Sequence, residues 1–107
     1  MTAAVSTAAL EDFERALRKA FPGRLRGIVL YGSHVRGEAS EDSDLDVLVL
    51  LQGPIELARD LGLCVDAAFP ISLEYGVPIS ALPADLVDYE TADYPLYRAA
   101  RAEGMRR

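Results

Sequence analysis

Two aspartates stand at the entrance of the most apolar run in the chain, and this arrangement constrains the fold more than any other feature. Asp44 and Asp46 flank Leu45, and the apolar residues 47–51 follow at once. A continuous apolar run of this length predicts a strand that is buried on both faces. Because side chains alternate along a strand, both carboxylates should lie on one face while Leu45 points to the other. The pattern therefore predicts a pair of acids at the end of a buried strand.

A second motif precedes the aspartates by ten residues. Residues 27–31 are rich in β-branched and aromatic side chains, which predicts a strand that runs directly into Gly32 and Ser33. Gly32 lets a ligand approach the backbone closely, and Ser33 offers a hydroxyl where the N-cap of a helix would stand. Such a helix start attracts phosphate oxygens. Gly-Ser is also an ordinary strand-to-helix turn, so the motif gains meaning only together with the aspartates.

The two aspartates suit a divalent metal ion beside that phosphate turn. Mg²⁺ commonly takes one or two carboxylates together with water and the phosphates of a substrate. A metal ion between them would keep both acids ionised, since neighbouring like charges otherwise raise the pKa of one of them. We therefore interpret Asp44 and Asp46 as metal ligands, with Mg²⁺ as the cofactor.

Two other interpretations of the acids are weaker. A solvated acidic loop accounts for the acids before the strand but not for Asp46, which should lose much of its water on entering an apolar run. Asp42, Asp44 and Asp46 also match the first three ligand positions of an EF-hand calcium loop. The rest of that loop fails, because Val47 stands where glycine is required and Gly53 where a bidentate glutamate is required.

The complete arrangement resembles the DNA polymerase β-type nucleotidyltransferase superfamily, and the small size points to its minimal nucleotidyltransferase branch. The resemblance rests on a strand, the Gly-Ser turn, an Arg-Gly pair, and the Asp-Leu-Asp triplet that enters the next strand. It implies that Gly32 and Ser33 hold the phosphates of a nucleotide and that Asp44 and Asp46 are catalytic and bind the metal. Arg36, in the turn after Ser33, is a further nucleotide-binding candidate, with an ion pair to the acids of the following loop as the alternative.

The resemblance also implies a reaction, in which a nucleoside monophosphate, AMP from ATP, moves onto an acceptor hydroxyl. Small stand-alone members often act as antitoxins that pair with a HEPN-domain toxin and adenylylate it, so ATP and a HEPN-domain protein are the expected partners. Two other functions stay open. One is a non-catalytic module that binds and neutralises or scaffolds a partner protein; the other is a transferase for an antibiotic or another small hydroxyl compound, where a homodimer could complete the site.

One departure from the family pattern concerns a third carboxylate, which many relatives carry on the next strand. Residues 77–82 contain no acid, and Ser80 is the polar residue expected on the corresponding face. Asp66, Glu74 and Asp85 are the acids that could approach from neighbouring elements. Without a third acid, the site would bind a nucleotide and one metal ion but would transfer slowly or depend on its acceptor.

Composition and charge agree with a small cytoplasmic protein. The 107 residues predict a single domain, residues 1–107, and the apolar runs are too short to cross a membrane. The only cysteine, Cys64, excludes an internal disulfide and favours a reducing compartment, where it should be a small core residue. A net charge of −6 argues against contact with long nucleic acid, which needs a basic surface.

Helical periodicity predicts a first helix over residues 8–21, capped by Ser6 or Thr7 and ended by Pro22 and Gly23. A second helical stretch should follow Gly53-Pro54 and stop at Tyr75-Gly76. Its predicted apolar face comprises Leu57, Leu61, Ala68, and either Cys64 or Val65.

Pro70 lies within this second stretch and predicts a kink or break near Phe69. A third strand over residues 77–82 is expected, with Pro78 restricting it to a sheet edge or standing at the beginning of the strand. Short helices are expected over residues 84–89 and 95–103. The predicted fold is thus α/β (α+β), a small mixed sheet of three or more strands backed by helices, of the polymerase β-type nucleotidyltransferase class.

Overall fold

The computed structural model describes residues 3–32 and 44–107. Helices lie on both faces of a four-stranded sheet. In chain order the elements are α1 (Ala3–Ala20), β1 (Leu25–Tyr31), β2 (Leu45–Leu51), α2 (Leu57–Tyr75), β3 (Ile79–Asp85), α3 (Leu86–Thr91), α4 (Pro95–Glu103) and β4 (Met105–Arg106). The predicted mixed sheet backed by helices is confirmed.

The strand β2 lies between β1 and β3 in a sheet of order β3-β2-β1-β4. It runs antiparallel to β1 and parallel to β3. The strand β3 stands at one edge, as Pro78 predicted, although it begins and ends later than expected. At the other edge the sequence pattern missed β4, because a strand of two residues is too short to show any periodicity.

Both faces of β2 are buried, as its apolar run predicted. Leu48 and Leu50 pack with α3 and α4, where Tyr89 and Ala100 complete a small core. The alternate side chains pack against α1 and α2 in a larger core, to which β2 contributes Leu45, Val47, Val49 and Leu51. Because these two sets alternate, the side chain at position 46 belongs to the face of Leu48 and Leu50.

The helix α1 begins five residues earlier than the periodicity indicated. Ser6 and Thr7 therefore lie inside the helix, and the prediction that either caps it is wrong. Alanine has the highest helix propensity, so the alanine-rich start favours a helix that begins earlier than its apolar periodicity indicates. The end is as predicted, since Gly23 has a φ of 77° and turns the chain toward β1.

Of the predicted kink or break near Phe69, the break is wrong, because α2 is continuous through Pro70 and ends at Gly76 in the left-handed conformation; the kink stays a prediction. Proline removes one hydrogen bond from a helix, here the bond to the carbonyl of Asp66 four residues earlier. Both residues are exposed, so water can bind that carbonyl. Burial of Cys64 and Ile71 on the opposite side holds the two halves of the helix to the core.

The buried face of α2 also differs from the predicted one. Leu57 and Val65 are 61% and 54% exposed, whereas Cys64, Ala68 and Asp60 are buried. Cys64 is the small core residue that the sequence predicted, and its burial raises the pKa of the thiol to about 12. The buried charge of Asp60 was not predicted. Because Asp60 faces the core, Leu57 faces solvent instead of the core that its apolar character predicted.

Asp60 is fully buried and is bound by Arg24, in the turn that precedes β1. Two guanidinium nitrogens donate to the carboxylate, Nη1 to Oδ1 at 2.9 Å and Nη2 to Oδ2 at 3.1 Å. The backbone N–H of Glu56 and the side chain of Arg59 donate as well. These bonds lower the pKa of Asp60 from 3.8 to about 2, with Arg24 as the largest cause. The pair joins the start of α2 to the start of β1.

No helix in the described part of the chain is both long and apolar enough to span a membrane.

We expect Asp60→Asn to lower the free energy of unfolding by about 2 kcal/mol at pH 7, since the shift from 3.8 to about 2 is lost with the charge. The folded-state pKa lies below the unfolded one, so this stabilisation is complete above about pH 4 and disappears as the pH falls toward 2. Urea unfolding of the wild type and the variant at pH 7 and pH 3 measures this stabilisation. Asp66→Asn, an exposed position on the same helix, is the matched control and should change stability by less than about 0.5 kcal/mol. If both variants lowered the free energy of unfolding equally at pH 7, the stabilising role of the Arg24–Asp60 ion pair would be contradicted.

Candidate functional site

The candidate site lies at the N-terminal end of β2. Asp46 is the second residue of this strand, and Asp44 immediately precedes it. Asp46 stands opposite Tyr31 on the antiparallel side and opposite Ser80 on the parallel side. Asp46 is half-buried while Asp44 and Ser80 are exposed, so this end of the sheet is open to solvent. A ligand can reach the carboxylates there.

Gly32 directly follows β1 and lies against Asp46. Its φ of +82° falls in the left-handed region, which side chains disfavour. A Cβ atom at this position would lie 3.2 Å from the Cγ of Asp46 and closer still to its Oδ2. The residue must therefore be glycine for two reasons, the backbone conformation and the carboxylate beside it. The structure thus brings together the first residue of the predicted phosphate turn and one predicted metal ligand.

Ser33 and Arg36 lie outside the described residues. Their proposed contacts with a nucleotide remain predictions, as do the metal-binding roles of Asp44 and Asp46.

Sequence reasoning missed Tyr31 as a member of this site. The register places it opposite Asp46, and it packs beside the core of α3 and α4. Burial, and then the negative charge of Asp46, raise the pKa of its hydroxyl. Tyr31 therefore stays protonated at neutral pH and keeps a hydrogen-bond donor at the site. Its place directly before Gly32 was the signal that could have identified it.

None of the three acids that could have supplied a third carboxylate lies beside Asp46. Asp85 stands opposite Leu51, at the other end of β2, and its Oδ1 accepts hydrogen bonds from the first N–H groups of α3. Asp66 and Glu74 lie on α2, which packs on the opposite face of the sheet. Among residues 3–32 and 44–107, no group of three histidine, cysteine, aspartate or glutamate side chains could hold a metal ion.

The residues present fit one Mg²⁺ ion. Aspartate oxygens are hard ligands, and Asp44 and Asp46 have the alternate spacing that directs two side chains of an extended chain to one side. The open side of the sheet leaves room for water and phosphate oxygens in the remaining coordination positions, which is the usual way that proteins bind this ion.

The sequence matches the family model described as nucleotidyltransferase domain over residues 10–86. The chain belongs to this nucleotidyltransferase family. A candidate protein adenylyltransferase of Methanocaldococcus jannaschii is 35% identical over 69% of this chain and 68% of its own length. The protein adenylyltransferase MntA of Thermococcus cleftensis is 40% identical over 68% of this chain and 82% of its own length.

A solved structure described as a toxin–antitoxin with AMP-PNP has the same fold. It matches with a TM-score of 0.64 and 19% identity, over 90% of this chain and 69% of that chain. The predicted nucleotidyltransferase fold is confirmed by this similarity, and the prediction that the chain is a nucleotidyltransferase is confirmed by the family and the relatives. Members of this family generally use a divalent metal ion.

Gly32→Ala should lower the affinity for a Mn²⁺–ATP complex at least tenfold, because the new methyl group displaces the carboxylate of Asp46. Gly23→Ala is the matched control, since Gly23 also has a positive φ but a Cβ there would meet nothing within 4 Å. Each variant should lose about 1 kcal/mol or more of stability from backbone strain. Calorimetric titration measures the affinity. An equal loss of affinity in both variants, or in neither, would contradict a role of the Gly32–Asp46 contact in binding the Mn²⁺–ATP complex.

Proposed function

We propose that this protein is a cytoplasmic, Mg²⁺-dependent protein adenylyltransferase that moves AMP from ATP onto a hydroxyl group of a partner protein. The observation that carries the proposal is the contact between Gly32 and Asp46. Gly32 begins the proposed phosphate turn and Asp46 is a proposed metal ligand, and their contact supports the proposal because nucleotidyl transfer requires phosphate and metal at one place.

The relatives support a protein as the acceptor, since two of them are named as protein adenylyltransferases, one of these as a candidate. A toxin–antitoxin with AMP-PNP has the same fold. We therefore propose that the partner is a HEPN-domain toxin and that the protein acts as its antitoxin. The net charge of −6 suits a basic protein surface better than a nucleic acid.

In the proposed reaction the acceptor oxygen forms a bond to the α-phosphorus of ATP. The bond from that phosphorus to the oxygen bridging to the β-phosphate breaks, pyrophosphate leaves, and the hydroxyl proton passes to solvent. Bound Mg²⁺ would stabilise the charge that develops on the phosphate oxygens. Asp44 and Asp46 would hold this ion, while Gly32 and Ser33 would bind the phosphates of the leaving group through backbone N–H groups.

A second candidate function is a binding module that neutralises its partner by occlusion. The specific observation in its favour is that no third acid lies beside Asp44 and Asp46 among the described residues. Both functions predict a complex with the partner, but only the first predicts a covalent product.

The combined substitution Asp44→Asn and Asp46→Asn should abolish AMP transfer, because it removes both charges from the metal site and preserves side-chain shape. The assay incubates the protein with Mg²⁺ and α-labelled ATP, with and without the protein encoded by the neighbouring gene, and follows label on each protein. Asp66→Asn, an exposed acid on the opposite face of the sheet, is the control and should transfer as the wild type does.

Label on the neighbouring protein that persists in the double variant would contradict the roles of Asp44 and Asp46. A tight complex of the two wild-type proteins without any label would support the binding module instead.

A further inference from the structure

A strip of apolar side chains is exposed on the outer side of α2. Val65, Phe69 and Leu73 recur at intervals of four residues, and each is between 54% and 69% exposed. Residues four apart lie on one side of a helix, so these side chains form a continuous strip. Single exposed apolar residues are ordinary, but a contiguous apolar patch is typical of a surface that binds another protein.

The strip borders a groove between α2 and the edge strand β3. Val65, Ala68 and Phe69 line this α2–β3 groove from the helix, and Ile79 and Ala81 line it from the strand. All five side chains are apolar. In the described part of the chain, no strand lies on the outer side of β3. The groove is therefore open to a partner along the edge of the sheet.

The free edge of β3 is poorly suited to an added strand. The N–H of Leu45 donates to the carbonyl of Pro78, and hydrogen bonds alternate between the two sides of a strand. The backbone of residue 83 therefore faces the free edge, where Pro83 offers no N–H. A helix can place an apolar face in a groove without hydrogen bonds from the edge of a sheet. The groove thus favours a helix over a strand as its occupant.

The chain around the groove is acidic. Residues 61–97 include most of α2 and all of β3 and α3, and they contain six acidic side chains and no lysine or arginine. Two copies of this chain that met at this surface would bring like charges together, which opposes association. A partner that combines apolar and basic side chains would instead be attracted.

We propose that the α2–β3 groove is the docking site for a helix of the partner protein. The apolar face of that helix packs against Val65 and Phe69, and lysine or arginine side chains border that face. This inference rests on the proposed function, which supplies the partner.

The groove also lies near the proposed metal site. Ile79 and Ala81 pair with the residues on either side of Asp46 in β2. Adjacent strands are about 4.8 Å apart, so only the width of one strand separates the groove from Asp46. Docking there would hold the acceptor protein near the nucleotide and favour transfer to this partner over other hydroxyl compounds.

The combined substitution Val65→Gln and Phe69→Gln tests the groove. Both side chains are exposed and glutamine is a good helix former, so the midpoint of urea unfolding should stay unchanged. Calorimetric titration with the protein encoded by the neighbouring gene should show an affinity at least about 30-fold lower than that of the wild type, because a few central residues carry most of the binding energy of an interface. The affinity for Mn²⁺–ATP should not change, since neither residue belongs to the proposed metal site.

Val87→Gln is the matched control. Val87 is 65% exposed on α3, which covers the opposite face of the sheet, and this variant should bind the partner as the wild type does. Raising the ionic strength from about 0.05 to about 0.5 M should weaken the wild-type complex severalfold, because salt screens the attraction between acidic and basic surfaces. Sedimentation of the wild type without its partner should show no dimer that the double variant abolishes.

Unchanged affinity in the double variant, an equal loss in Val87→Gln, or a wild-type affinity that does not depend on salt would overturn this docking site and leave the proposed function intact. A homodimer that the double variant abolishes would place a second copy in the groove and would overturn the inference as well. If the two wild-type proteins formed no complex, the proposed partnership itself would be contradicted, and the docking site with it.

Discussion

The structure depends on the burial of β2 on both faces and on its pairing along both edges. A strand of this kind needs a helical layer on each side and a hydrogen-bonded neighbour at each edge. The helices α1 and α2 cover one face, α3 and α4 cover the other, and β1 and β3 pair along the edges. Charged side chains can lie on such a strand only where the covering layers end. The acidic site is therefore found at the beginning of β2.

The same constraint explains why Gly32 belongs to the site. Because β1 runs antiparallel to β2, the end of β1 lies beside the beginning of β2. The turn that leaves β1 therefore starts next to Asp46, at a contact so close that a side chain would not fit. The proximity of Gly32 and Asp46 follows from strand direction and register.

The features that the sequence predicted correctly depend on local patterns. Residues 47–51 specify a buried strand by composition alone. The edge position predicted from Pro78 is also found, although Pro78 itself lies just before β3 and Pro83 is the proline within the strand. The mistakes arise where a tertiary contact overrides a local signal. Cys64 and Ile71 hold α2 in the core on either side of Pro70, and the pairing with Arg24 buries Asp60. An ion pair between residues 36 positions apart leaves no trace in helical periodicity.

The candidate site could be predicted only in part for the same reason. The acids and the glycine stand close together in sequence, and their spacing was sufficient to propose a metal and phosphate site. Ser80 was expected on this face, but the contribution of Tyr31 and the direct pairing of Ser80 with Asp46 required the register of the sheet, which side-chain alternation along single strands does not specify. The register also shows that Asp85, on β3, pairs with Leu51, which lies five residues after Asp46 on β2. At the rise of a strand, this places Asp85 about 16 Å from Asp46 along the sheet.

The most direct test of this account is the position of a bound metal ion relative to the sheet. Sub-stoichiometric Mn²⁺ with a non-hydrolysable ATP analogue broadens the NMR signals of nearby backbone amides in ¹⁵N-labelled protein. The account predicts the strongest broadening at Gly32, Asp46 and Ser80, with little effect at Asp85. Broadening centred on Asp85, or spread evenly over the exposed acids, would contradict a metal site at the beginning of β2.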